Sequence, residues 1–137
     1  MRKTLPQGLA LLLLAGAVAL VYSNALNGPV FLDDHENIVG NPAIRKLWPL
    51  SKALNPPFAD PSFCTRPFIN LTMCVDYALG GLNVRGYRIT SGLFHLGAAW
   101  ALFGLLGLAL RSAGREESEA RLLALAGALI WAVHPLA

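Results

Sequence analysis

Four ionisable side chains, Asp33, Asp34, His35 and Glu36, stand in succession inside "PVFLDDHENIVGNPAI" (residues 29–44). The chain has eight acidic residues, and three of them are in this cluster. Upstream, no charge occurs from Thr4 to Leu32. A carboxylate held beside an apolar surface, partly desolvated, tends toward a raised pKa and suits general-base work. The cluster also offers oxygen and nitrogen ligands to a divalent cation. Nothing in the spacing fixes a coordination set, so no metal site is assigned. A plainer role fits too: Asp33 with Glu36 three residues on has the pattern of a capping box. From the residues alone, base and cap both stay open.

Three further residues are candidates for a site. Arg66 precedes a helical stretch, and a guanidinium grips phosphate oxygens bidentately; a solvated arginine neutralising lipid headgroups explains it equally. His95 lies inside an apolar run, where ionisable side chains usually face a bundle or a cavity. A neutral histidine bonded to a neighbouring helix is the competing explanation. His134, followed by Pro135, stands near the end of a third apolar run. Cys64 and Cys74 are too few for a disulfide framework. A bridge needs the two Cα atoms within about 7 Å, which would fold Cys64 back along the helix carrying Cys74, so two free thiols are expected. "NLT" at 70–72 matches the glycosylation sequon, which means little by itself.

The elements that must position these residues are mostly apolar. Of 137 residues, 55% are hydrophobic and 14% charged, and mean hydropathy is +0.50, whereas soluble domains run near 25% charged. The net charge of +3 comes from scattered basic residues. No Lys/Arg block forms a nucleic-acid footprint, so DNA or RNA binding is set aside. Residues 1–22, basic at Arg2 and Lys3 and apolar from Leu5 to Tyr22, fit a membrane helix of roughly 27 Å. A cleaved signal peptide fits the same pattern, but further apolar runs downstream favour an uncleaved anchor. Residues 23–88 form a long polar interval, with five prolines between 41 and 61 that forbid a continuous helix there. Within it, "TRPFINLTMCVDYALGG" predicts a helix opened by Pro67 and stopped by Gly80-Gly81. Phe68, Leu71 and Val75 share one of its faces, and its moderate polarity suits a position on the membrane interface.

Residues 89–110 are the second expected span, 111–121 a charged loop, and 122–137 a third, marginal span after which the sequence reads as truncated. The fold class is therefore all-α integral membrane: a three-span helical bundle portion with a long first loop. Arg2 and Lys3, with Arg111, Arg115 and Arg121, place the short loop on the cytoplasmic side. The acidic loop is then extracytoplasmic, as in a bacterial inner-membrane protein or its equivalent.

In order, "FLDDHENIVGNPAI", "RPFINLTMCVDYALGGLNVRGYRITSGLFH" and "ALIWAVHPL" resemble landmarks of the transmembrane, tetratricopeptide-repeat O-mannosyltransferase-like family. That family falls among the C-type (GT-C), multi-spanning glycosyltransferases that use lipid-phosphate sugars. The resemblance covers the chain from about Tyr22 onward. It implies a catalytic carboxylate at Asp33 or Asp34, and it matches Arg66, His95 and His134 to substrate or phosphate contacts. It further implies a polyprenyl-phosphate sugar donor, a protein or glycan hydroxyl acceptor and a membrane lipid environment, with no required cofactor beyond an open place for a divalent cation. Arg88, Ser91 and Ala137 depart from relatives that often carry His, Asn and His or another polar residue there. Two rival functions share the scaffold: a non-catalytic anchor for a partner-recruiting repeat domain, and a transporter subunit with His95 and the acids along its path.

Overall fold

The computed structural model describes residues 5–30, 34–54 and 66–134. Asp33, Cys64 and Ala137 lie outside the described residues, so the capping box proposed for Asp33 and the state of Cys64 do too. Every regular element among the described residues is helical, and none is a strand. In chain order these are α1 (Gln7–Tyr22), a 3-10 turn (Ser23–Asn27), a π turn (His35–Val39), a second 3-10 turn (Pro42–Arg45), α2 (Leu50–Leu54), α3 (Pro67–Gly80), α4 (Val84–Ser112) and α5 (Glu117–Ala132).

Local chemistry explains most boundaries. Pro67 sits at the start of α3, where its missing N–H costs nothing. Gly81 closes the helix with φ +61°, a conformation that favours glycine, and its N–H bonds the Tyr77 carbonyl at 2.8 Å. Asn41 caps the turn at Pro42–Arg45 by accepting from the Ala43 N–H at 2.9 Å. α4 begins at Val84, ahead of the expected span start at Ile89, and so takes Arg85 and Arg88 into the helix. α5 begins at Glu117, five residues before Leu122, and with α4 running on to Ser112 most of the expected loop is helical. The acids Glu117 and Glu119 in its first turn favour the positive end of the helix dipole. The i,i+4 pairs Arg115–Glu119 and Glu117–Arg121 add to this.

The chain divides into two compact units, Ala25–Thr90 and the residues on either side of it, and α4 contributes to both. In the flanking unit, Ala10, Leu14 and Val18 of α1 pack with Ala99 and Phe103 of α4 and with α5. On α5 the buried face is a stripe of small residues, Ala120, Ala124, Ala128 and Ala132, at four-residue spacing. Small side chains let backbones approach closely, which is how helices associate where lipid removes the hydrophobic incentive. Among the described residues two helical segments, Gln7–Asn27 and Val84–Ser112, are long and apolar enough to cross a membrane. Only 17% of the first and 11% of the second is buried, far from the covered state of a soluble core helix. α5, at 16 residues, is shorter than either.

The unit Ala25–Thr90 has its own core of Ile38, Ile44, Ala53, Cys74 and Tyr87. Here the face of α3 packed inside is not the apolar one. Asn70, Cys74 and Asp76 are inside, whereas Phe68 and Val75 are exposed and Leu71 is half-buried. The sequon residue Asn70 is 1% exposed and its amide donates to the Ala53 carbonyl. "NLT" is thus a core contact and not an accessible glycan acceptor. Cys74 is a free, buried thiol, and burial pushes its pKa up.

Candidate functional site

The acidic segment is held by an arginine. Arg88, one turn into α4, reaches back to the stretch that follows α1. Its Nη1 donates to the carbonyls of Ala25 at 2.7 Å and Gly28 at 2.6 Å. Its Nη2 donates to the Pro29 carbonyl at 2.7 Å and to Asp34 Oδ2 at 2.9 Å. Gly28 and Pro29 lie past the 3-10 turn, where the chain has no ladder to satisfy their carbonyls, and the Ala25 carbonyl also accepts from the Gly28 N–H at 3.3 Å. A rigid fork of donors suits such a cluster better than an ammonium would. The fit is close: a Cβ added at Gly28 would sit 3.2 Å from Arg88 Nη1. Asp34 makes no capping bond to the π turn that follows it. Its carboxylate is instead part of an ion pair that is only partly open to solvent.

After Asp34 the chain winds into the π turn, closed by the Gly40 N–H on the His35 carbonyl at 2.7 Å. Ile38 points into the core and His35 and Glu36 are exposed. Among the described residues no three His, Cys, Asp or Glu side chains gather to hold a metal ion. Arg66 flanks α3 at its start, exposed, with its carbonyl accepting from the Asn70 N–H at 3.1 Å. It makes no ion pair with a described residue.

His95 and His134 lie in the other unit. His95 stacks on Trp131 with ring centroids 4.9 Å apart and meets Tyr22 edge-on at 5.1 Å. Its Nε2 is 2.8 Å from the Ala132 carbonyl. A carbonyl only accepts, so Nε2 carries the hydrogen. Ala132 ends α5, where carbonyls lack helical partners. His95 therefore completes a helix terminus from a neighbouring helix. Tyr22 Oη donates to the His134 carbonyl at 3.3 Å, and the His134 N–H bonds the Trp131 carbonyl at 3.1 Å. The His134 side chain is exposed.

The structure thus joins Asp34 to Arg88, and His95 to Tyr22, Trp131 and the Ala132 carbonyl. Arg88 is the partner that residue spacing does not single out; its signal is a cation in the first turns of a span whose neighbouring loop is acidic. Asp76 is a second such residue. It is an acid 8% exposed on α3, and Thr90 Oγ1 donates to its Oδ1 at 2.6 Å. With the Tyr87 hydroxyl on the Gly81 carbonyl at 2.8 Å, this bond fixes the α3–α4 hairpin.

The sequence has a counterpart among known proteins. The chain is 31% identical to human protein O-mannosyl-transferase TMTC4 over 140 residues, which covers 90% of this chain. The two are distant relatives. The matched region makes up 19% of the human protein, so the chain spans about a fifth of the length of that relative. No protein-family model matches the chain, and no solved structure matches it either. The match supports a distant relation to the family that the sequence resembles.

Proposed function

We propose that this chain supplies the acidic loop and first membrane helices of a glycosyltransferase that moves a sugar from a polyprenyl-phosphate donor to a hydroxyl acceptor. The observation that carries the reading is the 31% identity to an O-mannosyl-transferase over nearly the whole chain. Asp33 is the general base: its carboxylate takes the acceptor hydroxyl proton as the acceptor oxygen bonds to the anomeric carbon. The bond from that carbon to the phosphate oxygen breaks, and polyprenyl phosphate leaves with the electron pair. Arg66, a cation with no ion pair to a described residue, steadies the leaving phosphate. Asp34, committed to Arg88, positions the segment that carries Asp33. His95 and His134 shape helix ends within their own unit rather than moving protons.

Membership of the wider C-type (GT-C) class, three crossings with α5 as the third, a cytoplasmic α4–α5 loop and an extracytoplasmic acidic loop belong to the same proposal. The exposed Phe68, Val75 and Leu79 of α3 suit an interfacial helix that turns its apolar face to lipid and its polar one to protein. One observation favours the rival reading of a non-catalytic anchor: Asp34 and His95 both spend their side chains on structural bonds. The two are separated by assaying membranes that contain the full-length gene product with a radiolabelled polyprenyl-phosphate mannose donor. Label transfer that disappears with Asp33→Asn supports the enzyme. Absence of transfer from a folded, correctly inserted wild-type protein with every donor sugar supplied supports the anchor.

A further inference from the structure

The near ends of three helices meet around a cleft at which no role has been placed so far. It measures about 100 Å³ and is lined by Gln7 of α1, Gly104, Gly107 and Arg111 of α4, and Glu117 and Arg121 of α5. All of these belong to the same unit. Gln7 is the first residue of α1, Arg111 lies in the last turn of α4, and Glu117 is the first residue of α5. If α1 and α4 cross a membrane, this cleft lies at headgroup depth.

Its charges are unequal. Arg121 donates to the Leu5 carbonyl at 2.6 Å and pairs with Glu117 at 2.5 Å. Glu117 is thereby answered, and Arg111 stays in the lining as a cation without an ion pair to a described residue. Below the arginines the wall is apolar, made by Phe103, Gly104 and Gly107 of α4 and Ala120 of α5. A Cβ at Gly104 would meet nothing within 4 Å, and one at Gly107 would meet only the Ala124 methyl at 3.8 Å. An empty trough therefore runs down α4 from the basic rim, beside the buried Phe103 ring.

We propose that this cleft binds an anionic phospholipid, with its phosphate on Arg111 and Gln7 and an acyl chain in the Gly104–Gly107 trough. Charge complementarity supplies the headgroup contact, as in other basic clefts between membrane helices. The trough selects lipid over free phosphate, because an inorganic anion has no use for an apolar wall and finds, among the described lining residues, one guanidinium without an ion pair. The inference is independent of the transferase reading and is tested without activity.

The chain is purified in an uncharged detergent and its thermal stability followed against added phosphatidylglycerol, phosphatidylcholine or inorganic phosphate, with bound lipid counted by native mass spectrometry. Phosphatidylglycerol is expected to be retained and to raise Tm, and the other two to do neither. Arg111→Gln weakens retention about fivefold, the effect of one basic residue near a membrane surface. Gly104→Leu fills the trough without a clash and weakens retention at least as much, and Gly104→Ala retains it. Arg115→Gln, an exposed control outside the cleft, changes nothing. An equal loss with Arg115→Gln, full retention in Gly104→Leu, or equal stabilisation by inorganic phosphate would each overturn the proposal.

Discussion

Arg88 and Asp34 are 54 positions apart in sequence and 2.9 Å apart in space. The same guanidinium that holds the carboxylate holds three carbonyls of the chain leading to it. Asp34 is thereby fixed in place together with its approach, which is the arrangement a neighbouring catalytic group needs.

The first prediction tests that hold. Arg88→Gln leaves the carbonyls of Ala25, Gly28 and Pro29 short of donors and the Asp34 carboxylate without its cation. Partial solvent access keeps the cost to roughly 1–2 kcal/mol. Limited proteolysis should cut residues 25–34 faster in this variant. Arg88→Lys restores the charge but not the fork, and its cleavage rate should fall between those of wild type and Arg88→Gln.

Chemistry and capping separate at Asp33. Asn caps a helix about as well as Asp but takes no proton at neutral pH. In the full-length gene product, Asp33→Asn should leave Tm nearly unchanged and reduce transfer by roughly 10²–10⁴-fold. Asp34→Asn should cost less, because Arg88 retains its three carbonyls. Full activity in Asp33→Asn with a stability loss near 1 kcal/mol in Asp33→Ala would make Asp33 a cap.

Asn70 should carry no glycan. Endoglycosidase treatment of chain expressed in a glycosylating host should leave its mobility at this site unaltered. Asn70→Ala removes the donor to the Ala53 carbonyl and should lower stability by roughly 1–3 kcal/mol, the cost of a buried acceptor left unsatisfied. A loss of glycan in that variant, with Tm unchanged, would contradict the buried placement.

Cys74 carries a pH dependence. Its thiol has a folded pKa raised by burial above the ordinary 9.0. Its contribution to stability is therefore fully present below about pH 9 and is lost as pH rises toward the folded value, because the unfolded chain sheds the proton first. Thermal melts of wild type should decline more steeply above pH 9 than those of Cys74→Ala. Iodoacetamide should label Cys74 in the folded chain far more slowly than in the denatured chain.

Topology has a direct check. In a background lacking Cys64 and Cys74, an impermeant maleimide should label Trp48→Cys from outside and Arg115→Cys only after permeabilisation. Both positions are exposed. Labelling of position 115 from outside would reverse the proposed orientation.

The long apolar segments were legible because a charge-free run at 1.5 Å per residue is a length measurement. Pro67 and Gly81 were legible because each acts through its own backbone. Three things were not. The start of α5 is hidden by its charges: Glu117 and Glu119 read as loop, although acids in a first turn are also a helix-start signal. The buried face of α3 is hidden because apolar residues mark the protein side only where water is the alternative. Where lipid is available, Phe68 can face outward and Asn70 inward. The Arg88–Asp34 pair is hidden because neither residue has local spacing that points to the other. The acidic cluster itself was visible from residue types, but the partner that fixes Asp34 required the fold.

The alanine stripe of α5 sets an unusual rule for what this helix can tolerate. At Ala120, Ala124, Ala128 and Ala132 every buried side chain ends at one carbon, so the limit on replacement is volume and not polarity. Ser or Gly should pass at Ala128, whereas Leu, the commoner residue elsewhere in the same helix, should force the backbones apart at roughly 1–3 kcal/mol. Drift in this sequence would then look chemically permissive and sterically frozen at every fourth position, the reverse of what a water-facing protein shows along its core.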